Sequence, residues 1–427
     1  MNFFISLQGL LGIGAMIGIS YLLSSNRKMI RWQLVAWGLG LQLILALFIL
    51  KTSWGASIFK ALNSVVMAVL SSTDAGATFV FGNLAKTSIP VISNAINASE
   101  TGLIADVGFL FAFRVLPTII FFSALMAVLY HAGIMGKIVK AIALIMSKTM
   151  KTSGPESLSC AANIFVGQTE APLVIRPFIG KMTRSELTAV MAGGFATIAG
   201  GVLAAYVGML SAEIPNIAGH LIAASIMSAP AALMMAKIIV PEVEGVEYLT
   251  PTKISINKVD KNLIDAAARG AGDGLALAMN VGAMLIAFLA LIALFNLLLG
   301  YIGSWISFPE LSINWIFGKV LAPFAFLLGI PWEDCSQMGD LLGTKLVLNE
   351  FVAYLKLGAS TMSDKGKIIA AYALCGFANF GSIGIQIGGI SALAPERRAD
   401  LAQVAVKALI AGAFASFTTA CIAGILL

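Results

Sequence analysis

The sequence predicts an all-α integral membrane protein of about eight transmembrane helices, with two re-entrant hairpins in an inverted repeat and interfacial helices beside them. Three observations predict it. Of 427 residues, 59% are hydrophobic and 11% charged, with mean hydropathy +0.93, against roughly 25% charged in soluble domains. Apolar runs of about 20 residues, the length a helix needs to cross the bilayer core, recur along the chain. Two further apolar stretches are interrupted by Gly, Pro, amides and carboxylates.

The crossings are expected, in order, over 5–23, 34–50, 107–130, 189–210, 221–236, 275–299, 368–390 and 402–427. Arg114 inside the third reads as a structural ion-pair residue. "MNFFISLQGLLGIG" has no basic region ahead of its apolar run, so the first helix reads as retained and not as a cleaved signal peptide. Arg27, Lys28 and Arg31 fall in the first loop, and Lys137, Lys140, Lys148 and Lys151 follow the third crossing. Arg176, Lys181, Arg184, Lys237, Lys253, Lys258, Lys261, Arg269, Arg397 and Arg398 fall on that same side, which the positive-inside rule makes the cytoplasm. "SAEIPNIAGH", between the fourth and fifth crossings, has no Lys or Arg, as an outer loop should. An even number of crossings then puts both termini outside. The net charge of +6 is that of basic cytoplasmic loops and calls for no nucleic acid.

Residues 135–148 place Ile138, Val139, Ile142, Ile145 and Met146 at helical spacing beside Lys137, Lys140 and Lys148, the pattern of an interfacial helix. Residues 59–70 and 311–321 are weaker candidates of the same kind, and a packed core helix is the alternative for each. Cys160, Cys335, Cys375 and Cys421 stand singly in apolar surroundings and suggest neither a zinc site nor a disulfide framework.

The first broken stretch spans about 153–184. Gly167 and Pro172 interrupt it around "NIFVGQTEAP", and basic residues end it. The second spans about 332–357, with Asn349 and Glu350 inside "GTKLVLNEFVAYLKL". Non-helical backbone survives at membrane depth only where protein or a water-filled cavity satisfies it, so each reads as a re-entrant hairpin. A crossing interrupted by small residues follows each: "GGFATIAGG" (193–201) and "GFANFGSIGIQIGG" (376–389). Two such units of opposite orientation are the inverted repeat of a secondary transporter, with its site at the midplane. An intramembrane carboxylate costs about 2.5–3.5 kcal/mol on insertion scales and usually faces an internal cavity, which gives Glu170 and Glu350 a rationale. The plainer alternative is that each caps a half-helix or pairs with a lysine such as Lys345. The residues by themselves point to an ion-coupled carrier of a small polar organic molecule. An intramembrane hydrolase is disfavoured, because the two histidines, His131 and His220, lie far apart and outside any H-E-x-x-H setting. A passive channel is the other rival.

"VGQTEAPLVIRPF", "GTKLVLNEFVAY" and "GFANFGSIGIQIGG", in that order and separation, with "FVFGNL" at 79–84, resemble the signature segments of the concentrative nucleoside transporter family over essentially the whole chain. The resemblance implies a homotrimer in a bacterial inner membrane, not an enzyme, that imports nucleosides such as uridine and adenosine by an elevator-like movement. It divides the chain into N-terminal, mostly scaffold helices (1–148), a first transport segment (149–245), a scaffold segment (246–325), a second transport segment (326–395) and a last helix (396–427). It further implies that Gln168, Thr169 and Glu170 bind the nucleobase with Val202 packed against it. Glu350, Asn379 and Ser382 would hold the ribose hydroxyls, with Phe377 beside the sugar. A sodium site is implied at the Asn163 side chain, the Val166 carbonyl, the Thr197 hydroxyl and the Ile198 carbonyl, Thr197 standing where many relatives have Ser. "QTEAPL" and Asn163 resemble sodium-coupled members, so sodium is the expected coupling ion, with proton-coupled symport the alternative and no other cofactor. The Asn-Ala-Ser sequon at 97–99 reads as incidental in a bacterial-type chain.

Overall fold

The computed structural model describes residues 2–86, 88–92, 100–106, 110–243, 251 and 260–427. The sequon at 97–99, Lys253 and Lys258 lie outside the described residues. The chain runs through α1 (Asn2–Leu22), α2 (Trp32–Lys51), α3 (Ser53–Phe81), an antiparallel pair β1 (Ser88–Ile92) and β2 (Glu100–Asp106), α4 (Phe111–His131), α5 (Ile134–Met150), α6 (Gly154–Ala162), α7 (Arg176–Ile179) and α8 (Arg184–Ala196). It continues through α9 (Gly200–Leu210), α10 (Ile217–Ile239), α11 (Leu263–Trp305), α12 (Ile313–Leu327), α13 (Cys335–Val347), α14 (Glu350–Gly358), α15 (Asp364–Leu374), α16 (Phe380–Leu393) and α17 (Arg398–Leu426).

Among the described residues, seven helical segments are long and apolar enough to cross a membrane: Trp32–Lys51, Ser53–Ala85, Phe111–His131, Arg184–Leu210, Ile217–Ile239, Leu263–Trp305 and Pro395–Leu426. The structure sets the bounds of several expected elements. The short helix expected over 59–70 lies within the longer α3, of 29 residues. The sixth crossing, expected over 275–299, is the 43-residue α11. The seventh divides, at the interruption expected from "GFANFGSIGIQIGG", into α15 and α16. The strand pair β1–β2 is a small exception to an otherwise helical fold. In α5 the buried stripe is Met135, Val139, Ala143, Met146 and Met150, while Ile138 and Ile145 are exposed. All four cysteines are free and buried.

The two expected hairpins are helical in both limbs: α6 returns through a 3₁₀ turn (Ala171–Ile175) and α7, and α13 returns through α14. Each is fastened to the broken helix that follows it by the chemistry of helix starts, where four N–H groups lack intrahelical partners. Thr183 caps α8, its hydroxyl accepting from Glu186 N at 3.1 Å while the Glu186 carboxylate accepts from Thr183 N at 2.9 Å. The same carboxylate accepts from Ser153, the cap of α6. In the second half, Ser363 caps α15 and donates to Asp334 Oδ2, at the start of the second hairpin, at 2.6 Å. The buried Lys237 of α10 pairs with Glu156 of the first hairpin at 2.8 Å and with Glu242 at 3.0 Å. Such a charge persists out of water only because partners surround it.

A second packing unit is the crossing of α4 with α11. A Cβ at Gly270 would lie 2.7 Å from Ala127 Cβ, and one at Gly274 would lie 2.7 Å from Ile120 Cα, so these helices approach along glycine surfaces.

Candidate functional site

The site is built where the helices break. Helix α8 ends at Ala196, and α9 restarts at Gly200 after three residues outside any helix, Thr197, Ile198 and Ala199. Helix α15 ends at Leu374, and α16 restarts at Phe380 behind its cap, Asn379. The two breaks touch. Gly376 has φ +121°, a conformation that disfavours a side chain, and a Cβ there would lie 2.6 Å from Phe195 O. Carbonyls freed by such breaks need donors, and the fully buried Ser416 of α17 donates to Cys375 O at 2.6 Å. Gly200 N donates to Phe165 O at 3.0 Å, which holds the tip of the first hairpin against the first break.

The N-termini of α9, α14 and α16 converge on one cavity of about 1070 Å³, each presenting the positive end of its dipole. Asn349 caps α14 by accepting from Val352 N at 3.0 Å, and Asn379 caps α16 by accepting from Ser382 N at 2.8 Å. One wall comes from the hairpins and broken helices and includes Gln168, Thr169, Glu170, Val202, Glu350, Phe377, Asn379 and Ser382. All eight expected substrate residues therefore face a single space. The opposite wall comes from α4 and α11, through Ser123, Met126, Leu277, Val281 and Met284.

The two carboxylates differ more than the sequence suggested. Glu350 is 3% exposed; its Oε1 accepts from Tyr206 OH and its Oε2 from Asn379 Nδ2, both at 3.0 Å. A carboxylate has room for about four hydrogen bonds, so lone pairs remain for ligand hydroxyls. Lys345, the alternative partner suggested by the sequence, instead donates to Ala373 O at 2.9 Å. Glu170 is exposed on the cavity wall, so the argument from a buried carboxylate applies to Glu350 and not to Glu170. The Glu170 carboxylate folds over Gly167, where a Cβ would collide with it.

Gln168 is buried; its Nε2 donates to Ser382 Oγ at 3.2 Å and its Oε1 accepts from Gln386 Nε2 at 3.0 Å. The first-hairpin amide and the second broken helix are thus bonded across the two halves. Neither Tyr206 nor Gln386 was singled out from the sequence. Both stand one helical turn beyond an expected ligand, Tyr206 after Val202 and Gln386 after Ser382, and that i, i+4 spacing was the signal available.

The residues expected to hold sodium also come together at the first-hairpin tip and the first break. Asn163, Thr197 and Ile198 are buried and Val166 is half-buried. Asn163 Nδ2 donates to Ser159 O at 3.2 Å, while its Oδ1 is buried with no hydrogen-bond partner, and the Thr197 hydroxyl donates to Gly193 O at 2.9 Å and keeps its lone pairs. A buried acceptor without a donor is costly unless something electropositive meets it, and this oxygen donor set suits a hard cation.

Charged residues complete the cavity lining: Lys137, Lys140, Arg176, and Arg269 with its partners. Arg269 binds Asp260 through two nitrogens at 2.6 and 3.0 Å and Asp273 at 2.8 Å. These guanidinium bonds hold the Asp260 carboxyl below its usual range.

Hairpins and broken helices whose polar groups converge on one cavity inside an apolar helical body define a membrane carrier of small solutes. Models of sodium-dependent nucleoside transporters match residues 11–84 at the N-terminal part and 220–424 at the C-terminal part, and a nucleoside-recognition model matches 112–213. The chain belongs to the concentrative nucleoside transporter family, whose members are transporters and not enzymes.

The mouse sodium/nucleoside cotransporter 1 is 43% identical over 97% of this chain and 63% of its own length; the human protein of that name is 41% identical over the same shares. The chain thus spans about 63% of the length of these curated relatives. An uncharacterized transporter of Haemophilus influenzae is 43% identical over 98% of this chain and 97% of its own. The structure of CNTnw in an inward-facing substrate-bound state superposes with a TM-score of 0.87 at 42% identity, covering 99% of this chain and 98% of that one. A doubly substituted CNTnw in an outward-facing state gives 0.89 at the same identity, covering 99% and 97%.

Proposed function

We propose that this protein imports nucleosides by symport with sodium, moving a transport body past a fixed scaffold. The observation that carries the reading is the single cavity shared by the Gln168–Thr169–Glu170 cluster and the Glu350–Asn379–Ser382 cluster. The first offers an amide, a hydroxyl and a carboxylate to the edge of a base. The second offers a buried carboxylate, an amide and a hydroxyl to sugar hydroxyls, with Val202 and Phe377 as apolar surfaces. Sodium, a second substrate here, would meet the Asn163 and Thr197 side chains and the Val166 and Ile198 carbonyls. The orphaned Asn163 oxygen supports that assignment.

The moving body comprises 149–245 and 326–395, and the scaffold comprises 246–325 with most of 1–148. The cap-to-hairpin bonds described above favour rigid movement of the first group, and the glycine-lined α4–α11 crossing favours a stiff second group. The cavity is lined by Lys137, Lys140, Arg176 and Arg269, all on the side assigned to the cytoplasm by charge, so we read this conformation as inward-open. TM-scores of 0.87 and 0.89 to the two CNTnw states do not separate them. In this reading the protein is a homotrimer of the bacterial inner membrane, with both termini outside and uridine and adenosine among its substrates.

The driving force is adequate. One charge moving through 100 mV releases about 2.3 kcal/mol and a tenfold gradient about 1.4 kcal/mol, together enough for accumulation of several hundredfold. The test is uptake of labelled uridine and adenosine into proteoliposomes under an imposed sodium gradient, a proton gradient, or neither. Accumulation above equilibrium with sodium alone supports the reading. Accumulation with protons alone would replace sodium by protons, and equilibration without accumulation would make the protein a passive pore.

A further inference from the structure

Gln386 is fully buried on α16, one turn beyond Ser382, and its amide decides how the amide of Gln168 is presented. Gln386 Nε2 donates to two acceptors, Met191 O of α8 at 3.1 Å and Gln168 Oε1 at 3.0 Å. The two ends of a glutamine amide are close in shape and are told apart only by their partners. Here one partner is unambiguous, because a main-chain carbonyl can only accept. The end of Gln386 that faces Met191 is therefore NH₂. Because that same NH₂ faces Gln168, the end of Gln168 toward Gln386 is its oxygen. The Gln168 NH₂ is left on the other side, where one hydrogen reaches Ser382 Oγ at 3.2 Å. The Ser382 oxygen accepts that bond and keeps its own proton to donate onward.

Polarity thus propagates from a backbone carbonyl, through Gln386 and Gln168, to a hydroxyl on the cavity wall. Packing keeps the order in place. A Cβ at Gly194 would lie 2.8 Å from Gln386 Nε2 and 2.9 Å from Gln168 Cβ, so α8 presses on the Gln386 amide and on the stem of Gln168.

We propose that Gln386 is a specificity-determining positioning residue: by holding the Gln168 oxygen away from the ligand, it makes Gln168 a hydrogen-bond donor to the base. The site then reads an exocyclic carbonyl oxygen as its acceptor and disfavours a base that presents an amino group at that point. The proposal rests on the nucleoside reading above. A polar site loses most when its own group faces an unmatched partner, so uridine is favoured over cytidine and inosine over adenosine. With Gln386→Leu the Gln168 amide is free to turn and accept, and those ratios fall by roughly five- to tenfold.

The experiment is competition against labelled uridine uptake by uridine, cytidine, inosine, adenosine and 3′-deoxyuridine in the unmodified protein, Gln386→Leu, Gln168→Ala and the double variant. Gln386→Asn, which retains an amide too short to span both acceptors, is measured in parallel in case the leucine variant is not recovered folded. The expected result is a loss of carbonyl-over-amino preference in either Gln386 variant, with discrimination against 3′-deoxynucleosides unchanged, and no further loss when Gln386→Leu is added to Gln168→Ala. A residue that only supports the fold would lower uptake of all five ligands by one factor, and that outcome overturns the proposal. So does an unchanged ratio in a folded variant, or a shift that persists without Gln168. Failure of the unmodified protein to recognise any nucleoside would instead overturn the nucleoside reading itself.

Discussion

Replacing Glu350 by Gln tests the division of the cavity into a base end and a sugar end. The side chain is 3% exposed and receives bonds at 3.0 Å from Tyr206 OH and from Asn379 Nδ2. A glutamine can keep its oxygen toward Asn379 and turn its NH₂ toward the phenol oxygen, which can accept. The local network therefore survives, and what disappears is the charge and the acceptor capacity facing the ligand. Hydrogen bonds to charged groups contribute about 1.5–3 kcal/mol and neutral ones about 0.5–1.5. The loss is then about 1–1.5 kcal/mol if one sugar hydroxyl is held and about 2–3 if two are, roughly 5- to 150-fold in apparent affinity. The assay is competition against labelled uridine in proteoliposomes by a panel of nucleosides, deoxynucleosides and free bases. All nucleosides are expected to weaken by a similar factor, the ranking of bases to stay, and the penalty for a missing 3′-hydroxyl to shrink. An altered base ranking with sugar discrimination intact would refute the assignment of Glu350 to the sugar.

Three further outcomes follow from the geometry. Asn163→Ala removes the orphaned buried oxygen; it is expected to raise the sodium concentration for half-maximal uptake and, by linkage, to weaken nucleoside affinity at fixed sodium, whereas an unchanged sodium titration removes this site. The pair Gly201→Cys and Phe122→Cys joins α9 to α4 where a Cβ on Gly201 would lie 3.8 Å from Phe122 Cβ, a separation suited to a disulfide. Oxidation is expected to stop uptake and reductant to restore it, and full transport by demonstrably cross-linked protein would exclude relative movement of these helices. Gly376→Ala puts a methyl 2.6 Å from Phe195 O at φ +121°, a strain of about 2 kcal/mol or more. A clearly lowered melting temperature in detergent is expected, and an unchanged one would show that the crossing of the two breaks relaxes freely.

Val202, Phe377, Asn379 and Ser382 were named only through the family resemblance, whereas the membrane class, the positions of the two broken stretches and of the interrupted crossings, and the Gln168–Glu170 and Asn349–Glu350 clusters were legible in the sequence. Each depends on local information: an apolar run long enough to span a bilayer, a Gly or Pro that interrupts it, and an amide beside a carboxylate where hydrocarbon is expected. The lengths of α3 and α11 were less legible, because apolar periodicity marks the most hydrophobic part of a helix and not the capped ends, such as Thr52 and Asn262, that delimit it. Only the tertiary structure decided that Glu350 is buried and bonded while Glu170, in a matching motif, is exposed on the cavity wall. The same holds for Tyr206 and Gln386, which gain their roles from partners 144 and 218 residues away. The physical reason is that a hydrogen bond is directional and short-ranged. Composition and spacing can say that a polar group must find a partner, but which atom satisfies it, and which end of an amide is left facing the ligand, depends on how distant helices pack.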